Sequence, residues 1–208
     1  MYEKIIEKTM HFIFKYGNVK EEDRDIYQYG LEITLIFILN ICTILIISLF
    51  LNLFIESLLF LVCFSLLQSF AGGYHAMTHL RCFLMTMACW VIAVVSVPLI
   101  EPFLILHIVF SAASLIMVFL LAPIQHKNYP MSDEKARRMR KIARTIVVMQ
   151  CAVVLAIEIF NPALSVTASA ISVTQLLSAI SILYAAMKNK KLKTKLTDEL
   201  SNGGMYED

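Results

Sequence analysis

Charge is scarce in this sequence. Only 16% of its 208 residues are Asp, Glu, Lys or Arg, against about 25% for an average soluble domain. A water-soluble surface needs more than that. Hydrophobic residues make up 59% of the chain and the mean hydropathy is +0.72, so one integral membrane domain over residues 1–208 is the economical reading. The net charge of +2 gives no reason to expect a nucleic-acid partner. No cleavable signal peptide is visible, because the first thirty residues are studded with charge and the apolar run begins near Leu31. No internal repeat or low-complexity segment stands out. The five cysteines are odd in number and form no CxxC, which argues against a disulfide framework or a zinc ribbon. Cys42, Cys63, Cys89 and Cys151 lie inside apolar runs and read as small buried hydrophobes. Cys82 differs, since it stands at a segment boundary beside Arg81.

Long apolar runs are what the chain does have. A helix needs about 20 apolar residues to cross the hydrocarbon core. Six candidates appear, over roughly Leu31–Leu51, Leu53–Phe70, Cys82–Ile100, Pro102–Ala122, Ile142–Phe160 and Ala163–Met187. The predicted fold is therefore an all-α membrane protein of about six spans. Tyr2–Tyr16 is expected to form an amphipathic helix, either at the membrane interface or packed on the protein itself. The polar stretch from Thr197 to Asp208 is expected to be disordered.

The joins between spans divide the charge. Asn52, Glu101-Pro102 and Asn161-Pro162 mark very tight turns, and none of them holds a basic residue. All 18 basic residues fall in residues 1–30, at Arg81, in the stretch from Lys127 to Arg144, or in the tail from Lys188 to Lys195. Basic residues are retained on the cytoplasmic side. Both termini should then be cytoplasmic, with an even number of spans. The same rule puts residues 72–82 at the cytoplasmic face, where thiols stay reduced. Glu56, Glu101 and Glu158 fall near the opposite ends of their spans rather than mid-membrane, which weighs against an ion path.

The candidate chemistry lies in Ala71-Gly72-Gly73-Tyr74-His75-Ala76 with Cys82. A thiol and an imidazole are the parts of a cysteine nucleophile and its base. On one continuous helix, residues seven apart share a face but sit about 10.5 Å apart along the axis. If His75 and Cys82 act together, the segment must therefore be broken or re-entrant near residues 71–82. Gly72 and Gly73 supply the backbone freedom for that. A helix start near Cys82 would favour its thiolate, and free amides there could bind an oxyanion. His79, one helical turn before Cys82, competes for the role of base. His75, His79 and Cys82 could alternatively hold a metal, but no clear fourth ligand is present. His11, His107 and His126 read as packed or solvated. From these residues alone, an inert thiol, a small exporter or channel subunit and a non-catalytic scaffold also remain open.

The Gly72-Gly73-Tyr74-His75-Ala76 motif with Cys82 resembles the accessory gene regulator B family of bacterial quorum-sensing membrane peptidases. Ala122-Pro123 followed by Lys127-Asn128-Tyr129-Pro130-Met131-Ser132-Asp133-Glu134 is similar to that family's loop, in which an alanine-proline is followed by a lysine-asparagine-x-proline and then a charged helix start. The resemblance implies a cysteine endopeptidase acting on a signal propeptide, with His75 and Cys82 catalytic and Gly73 the required glycine. It also implies no metal or other cofactor, a substrate with an acidic C-terminal tail, and a homodimer in the bacterial cell membrane. One departure is visible. Gln68 stands where the family often has arginine, seven residues before the histidine. Arg81, Arg137, Arg138, Arg140 and Lys141 are candidate contacts for the substrate tail or for lipid headgroups, with Arg144 just beyond them.

Overall fold

A computed structural model describes residues 2–17, 21–72, 79–124 and 131–203. Among the described residues seven α-helices follow one another: α1 (Tyr2–Tyr16), α2 (Arg24–Phe50), α3 (Phe54–Ala71), α4 (His79–Ile100), α5 (Leu104–Leu121), α6 (Asp133–Phe160) and α7 (Ser165–Gly203). No strand occurs among the described residues. Helices α2 to α7 each contain a stretch long and apolar enough to cross a membrane. The chain is thus an all-α, multi-pass membrane protein, as its apolar runs predict.

The tight turns follow from their residues. Asn52 adopts φ +56° between α2 and α3, a conformation that asparagine tolerates better than most residues. Glu101-Pro102 separates α4 from α5, and the Phe103 N–H donates to the Ile100 carbonyl at 2.9 Å. Pro162 begins a short 3-10 turn between α6 and α7. These three joins lie at what we call the turn end of the bundle, and the described basic residues of α2, α4 and α6 lie toward the other, basic end.

Helix α7 is the centre. Of its span, 61% is buried, against at most 33% for any other. Its sequence explains the position. Ala168, Ser169, Ala170, Ser172, Thr174, Ser178 and Ala179 are all buried, and such small side chains let neighbouring helices approach closely. Their hydroxyls do not go unpaired. Ser172, Thr174 and Ser178 donate to carbonyls one turn back in α7, and Ser169 donates to the Val97 carbonyl of α4 at 3.1 Å.

One difference from the expected spans concerns where a helix begins. Helix α6 starts at Asp133, nine residues before the expected span, so most of the basic stretch is helical. Ser132 caps it, accepting a long 3.4 Å bond from the Lys135 N–H, with Asp133 and Glu134 in the first turn. Helix α7 continues to Gly203, and the rest of the polar stretch that begins at Thr197 lies outside the described residues. No glycine or proline interrupts the chain between Pro162 and Gly203, so nothing in it stops the helix earlier. In α1, Ile6 and Met10 are buried, while Phe12 and Tyr16 are exposed.

Candidate active site

A buried cluster lies at the basic end, built from Leu67 and Ala71 of α3, Val118 of α5, Ala122, Ala143 and Val147 of α6, and Ile182 of α7. It fixes where α3 stops. Gly72 follows Ala71 with φ +74° and ψ 171°, a region that is essentially glycine-only. The segment after α5 packs directly against this bend. The Ile124 N–H donates to the Ala71 carbonyl at 2.9 Å. A Cβ added to Gly72 would stand 2.7 Å from the Ile124 carbonyl oxygen. Glycine is thus required at position 72 both by its backbone angles and by the lack of room. The Ala122-Pro123 bond just before Ile124 is cis. The two motifs singled out in the sequence, 71–76 and 122–134, therefore meet at Ala71, Gly72 and Ile124.

Beyond Gly72 the chain re-emerges at His79, the first residue of α4. The break expected near residues 71–82 begins at Gly72. Gly73 and His75 lie outside the described residues, as do the re-entrant path and any His75–Cys82 or metal geometry. Cys82 sits in the first turn of α4, half-buried and free of any disulfide. Its carbonyl accepts from the Thr86 hydroxyl at 3.1 Å. Of the other cysteines, Cys63 is buried, Cys42 is exposed, and Cys89 and Cys151 are half-buried within their helices.

Gln68 lies one turn before Ala71. Its Nε2 donates to the Ser181 hydroxyl of α7 at 2.8 Å, and its buried Oε1 accepts no hydrogen bond among the described residues. The amide thus ties α3 to the central helix just below the bend. Of the basic candidates, Arg137, Arg140, Lys141 and Arg144 line one groove with Phe119 of α5. Arg138 and Arg81 are exposed and lie outside it.

The sequence does not reveal two polar clusters that the fold assembles. At the turn end, His107 is fully buried, with its Nδ1 2.6 Å from Glu158 Oε1. Its Nε2 lies 3.2 Å from the Ile100 carbonyl, which can only accept, so Nε2 carries a proton. Mid-bundle, the Ser111 hydroxyl donates to Gln175 Oε1 at 2.8 Å, and Gln175 Nε2 reaches Cys151 Sγ at 3.7 Å. The side-chain partners are 24 to 64 residues apart in sequence, so no local spacing marks them.

The family model for accessory gene regulator B matches residues 6–183, which takes in all six spans up to the sixth turn of α7. The chain belongs to the accessory gene regulator B family. Two proteins of Clostridium perfringens are similar to it, "Putative AgrB-like protein" from strain SM101 and "Putative AgrB-like protein 2" from strain 13, each 28% identical over 148 residues. The match covers 66% of this chain and 66% of each relative's length. No solved structure matches it. Gly72, Cys82, the Ala122-Pro123 corner and the basic start of α6 all fall within the region matched to the AgrB family model.

Proposed function

We propose that this AgrB-family protein processes a quorum-sensing signal propeptide as a membrane-embedded cysteine endopeptidase. The observation that carries the proposal is the placement of Cys82. It is a half-buried free thiol in the first turn of α4, just past the break at Gly72. A helix start concentrates free backbone N–H groups and partial positive charge, which favour a thiolate.

In the proposed mechanism His75 takes the Cys82 proton, and the thiolate attacks a peptide carbonyl of the propeptide. The first-turn amides of α4 stabilise the resulting oxyanion. The carbon–nitrogen bond breaks, and the C-terminal tail leaves as an amine with the proton returned by His75. A thioester remains on Cys82. A cysteine or serine side chain within the peptide then attacks that thioester and gives up its proton, and Cys82 departs as a thiol. The product is a cyclic thiolactone or lactone. Exchange of one thioester for another is close to isoenergetic, so the ring keeps the activated bond. The first step, amide to thioester, is uphill, and disposal of the released tail pulls it forward. The same proposal puts both termini and the basic end at the cytoplasmic face and pairs the protein as a homodimer.

The test is processing of a co-expressed cognate propeptide, with the membrane level of each variant checked. Cys82→Ala, Cys82→Ser and His75→Ala abolish processing, and His79→Ala retains it. Loss in His79→Ala with retention in His75→Ala moves the base to His79. Full processing by Cys82→Ala overturns the peptidase reading and leaves an exporter or scaffold role, neither of which needs one particular thiol. Labelling of single cysteines placed at Asn52 and at Arg138 with an impermeant thiol reagent in intact cells tests orientation, and only the former should react.

A further inference from the structure

We propose that the groove between α5 and α6 at the basic end is a binding site for one anionic phospholipid. The inference does not depend on the peptidase reading. Helix α6 buries one face through Ala136, Ala143, Val147, Gln150 and Val154. On another face Arg137, Lys141, Arg144 and Val148 recur at spacings of four, three and four, which stacks them along the helix. With Arg140, Thr145, Met149 and Phe119 they line a shallow, open groove of about 420 Å³.

The groove is graded along its length. Its first part carries four cations, and among the described residues none of them has a carboxylate within 4 Å. Like charges at this spacing repel one another, so an anion among them is favourable. Arg144 folds over Phe119, its guanidinium 4.8 Å from the ring centroid, and its Nη2 donates to the Phe119 carbonyl at 2.8 Å. Its Nε is buried and has no hydrogen-bond partner among the described residues. The far part of the groove is apolar: Val148 and Met149 are exposed, and the Thr145 hydroxyl is already given to the Lys141 carbonyl. From Arg137 to Met149 the helix rises about 18 Å, close to the thickness of one leaflet.

A phospholipid matches that gradient, with phosphate at the cations and an acyl chain along Val148 and Met149. Basic pockets at the ends of membrane helices suit anionic headgroups in this way. An acidic peptide matches it less well, because its backbone amides would meet no polar partner over the apolar floor.

The test uses the full chain in detergent, with thermal unfolding followed during titration. The probes are short-chain phosphatidylglycerol, short-chain phosphatidylcholine, inorganic phosphate and an acidic dodecapeptide. Phosphatidylglycerol should raise the unfolding temperature by about 5–10 °C at a hundred times its dissociation constant, and the other probes should not. In an Arg137→Gln, Arg140→Gln, Lys141→Gln variant the half-maximal lipid concentration should rise about a hundredfold, at roughly fivefold per cation removed. Arg144 is left in place because it bonds Phe119. Arg138→Gln, outside the groove, should respond as wild type. Equal responses to phosphatidylcholine and phosphatidylglycerol, or to phosphate and phosphatidylglycerol, overturn the proposal. So does an unchanged titration in the triple variant. A response to the peptide alone overturns it in favour of a peptide dock. The comparison of probes on the wild type stands even if the triple variant fails to fold.

Discussion

Replacing Gly72 with alanine sets two costs against each other at one position. The backbone there has φ +74° and ψ 171°, and a non-glycine residue held in that region costs about 1–3 kcal/mol. The new Cβ would also lie 2.7 Å from the Ile124 carbonyl oxygen and 3.1 Å from its nitrogen. Those are main-chain atoms, so relief requires either that Gly72 rotate or that the Ile124 segment retreat. Retreat breaks the 2.9 Å bond from the Ile124 N–H to the Ala71 carbonyl, worth about 1 kcal/mol. The expected loss is roughly 2–4 kcal/mol, because one movement can relieve part of both terms. For a chain of this size that lowers the unfolding temperature on the order of 5–15 °C. Gly30→Ala is the internal control. Gly30 lies inside α2 with nothing within 4 Å of its added Cβ, so alanine should stabilise the helix by up to about 1 kcal/mol. Thermal unfolding of both variants in one detergent reads the difference directly. The argument fails if Gly72→Ala unfolds with wild type, or if the two alanine variants are indistinguishable. Processing should fall in Gly72→Ala even below its unfolding temperature, since the bend leads straight into the segment holding His75.

Glu158→Ala or His107→Ala should each cost about 3–5 kcal/mol, because either leaves a buried polar partner alone. A His107→Leu, Glu158→Leu double variant should unfold above both single leucine variants in the same thermal assay, and additive losses would deny the coupling. Gln175→Leu strips the hydrogen-bond acceptor from the buried Ser111 hydroxyl, so a loss of about 1–3 kcal/mol is expected by denaturant or heat. Gln68→Leu removes the Ser181 bond together with a buried orphan oxygen. Its unfolding temperature should change by less than about 4 °C, and a much larger drop would mean that Oε1 accepts a bond after all.

The sequence alone determined the number of spans and their approximate limits, and it named the candidate residues for chemistry. The physical reason is that a bilayer forces each crossing to satisfy its own backbone, so an apolar run of sufficient length is nearly a structural statement by itself. Asn52, Pro102 and Pro162 punctuate those runs unambiguously, and the glycine pair with Cys82 marks its own segment. Burial was less legible. Apolar residues face lipid as readily as protein, so hydropathy could not tell that α7 is central while Phe50 and Phe160 stay over 80% exposed. Composition did not show the helical start of α6, because a run of arginines and lysines reads as a polar loop until Ser132 caps it; only the family resemblance implied a charged helix start there. Only the tertiary structure brought Ile124 against Gly72, His107 to Glu158 and Gln175 to Ser111. Each contact joins residues 51 to 64 apart in the chain, and their meeting depends on how helices pack rather than on any local pattern.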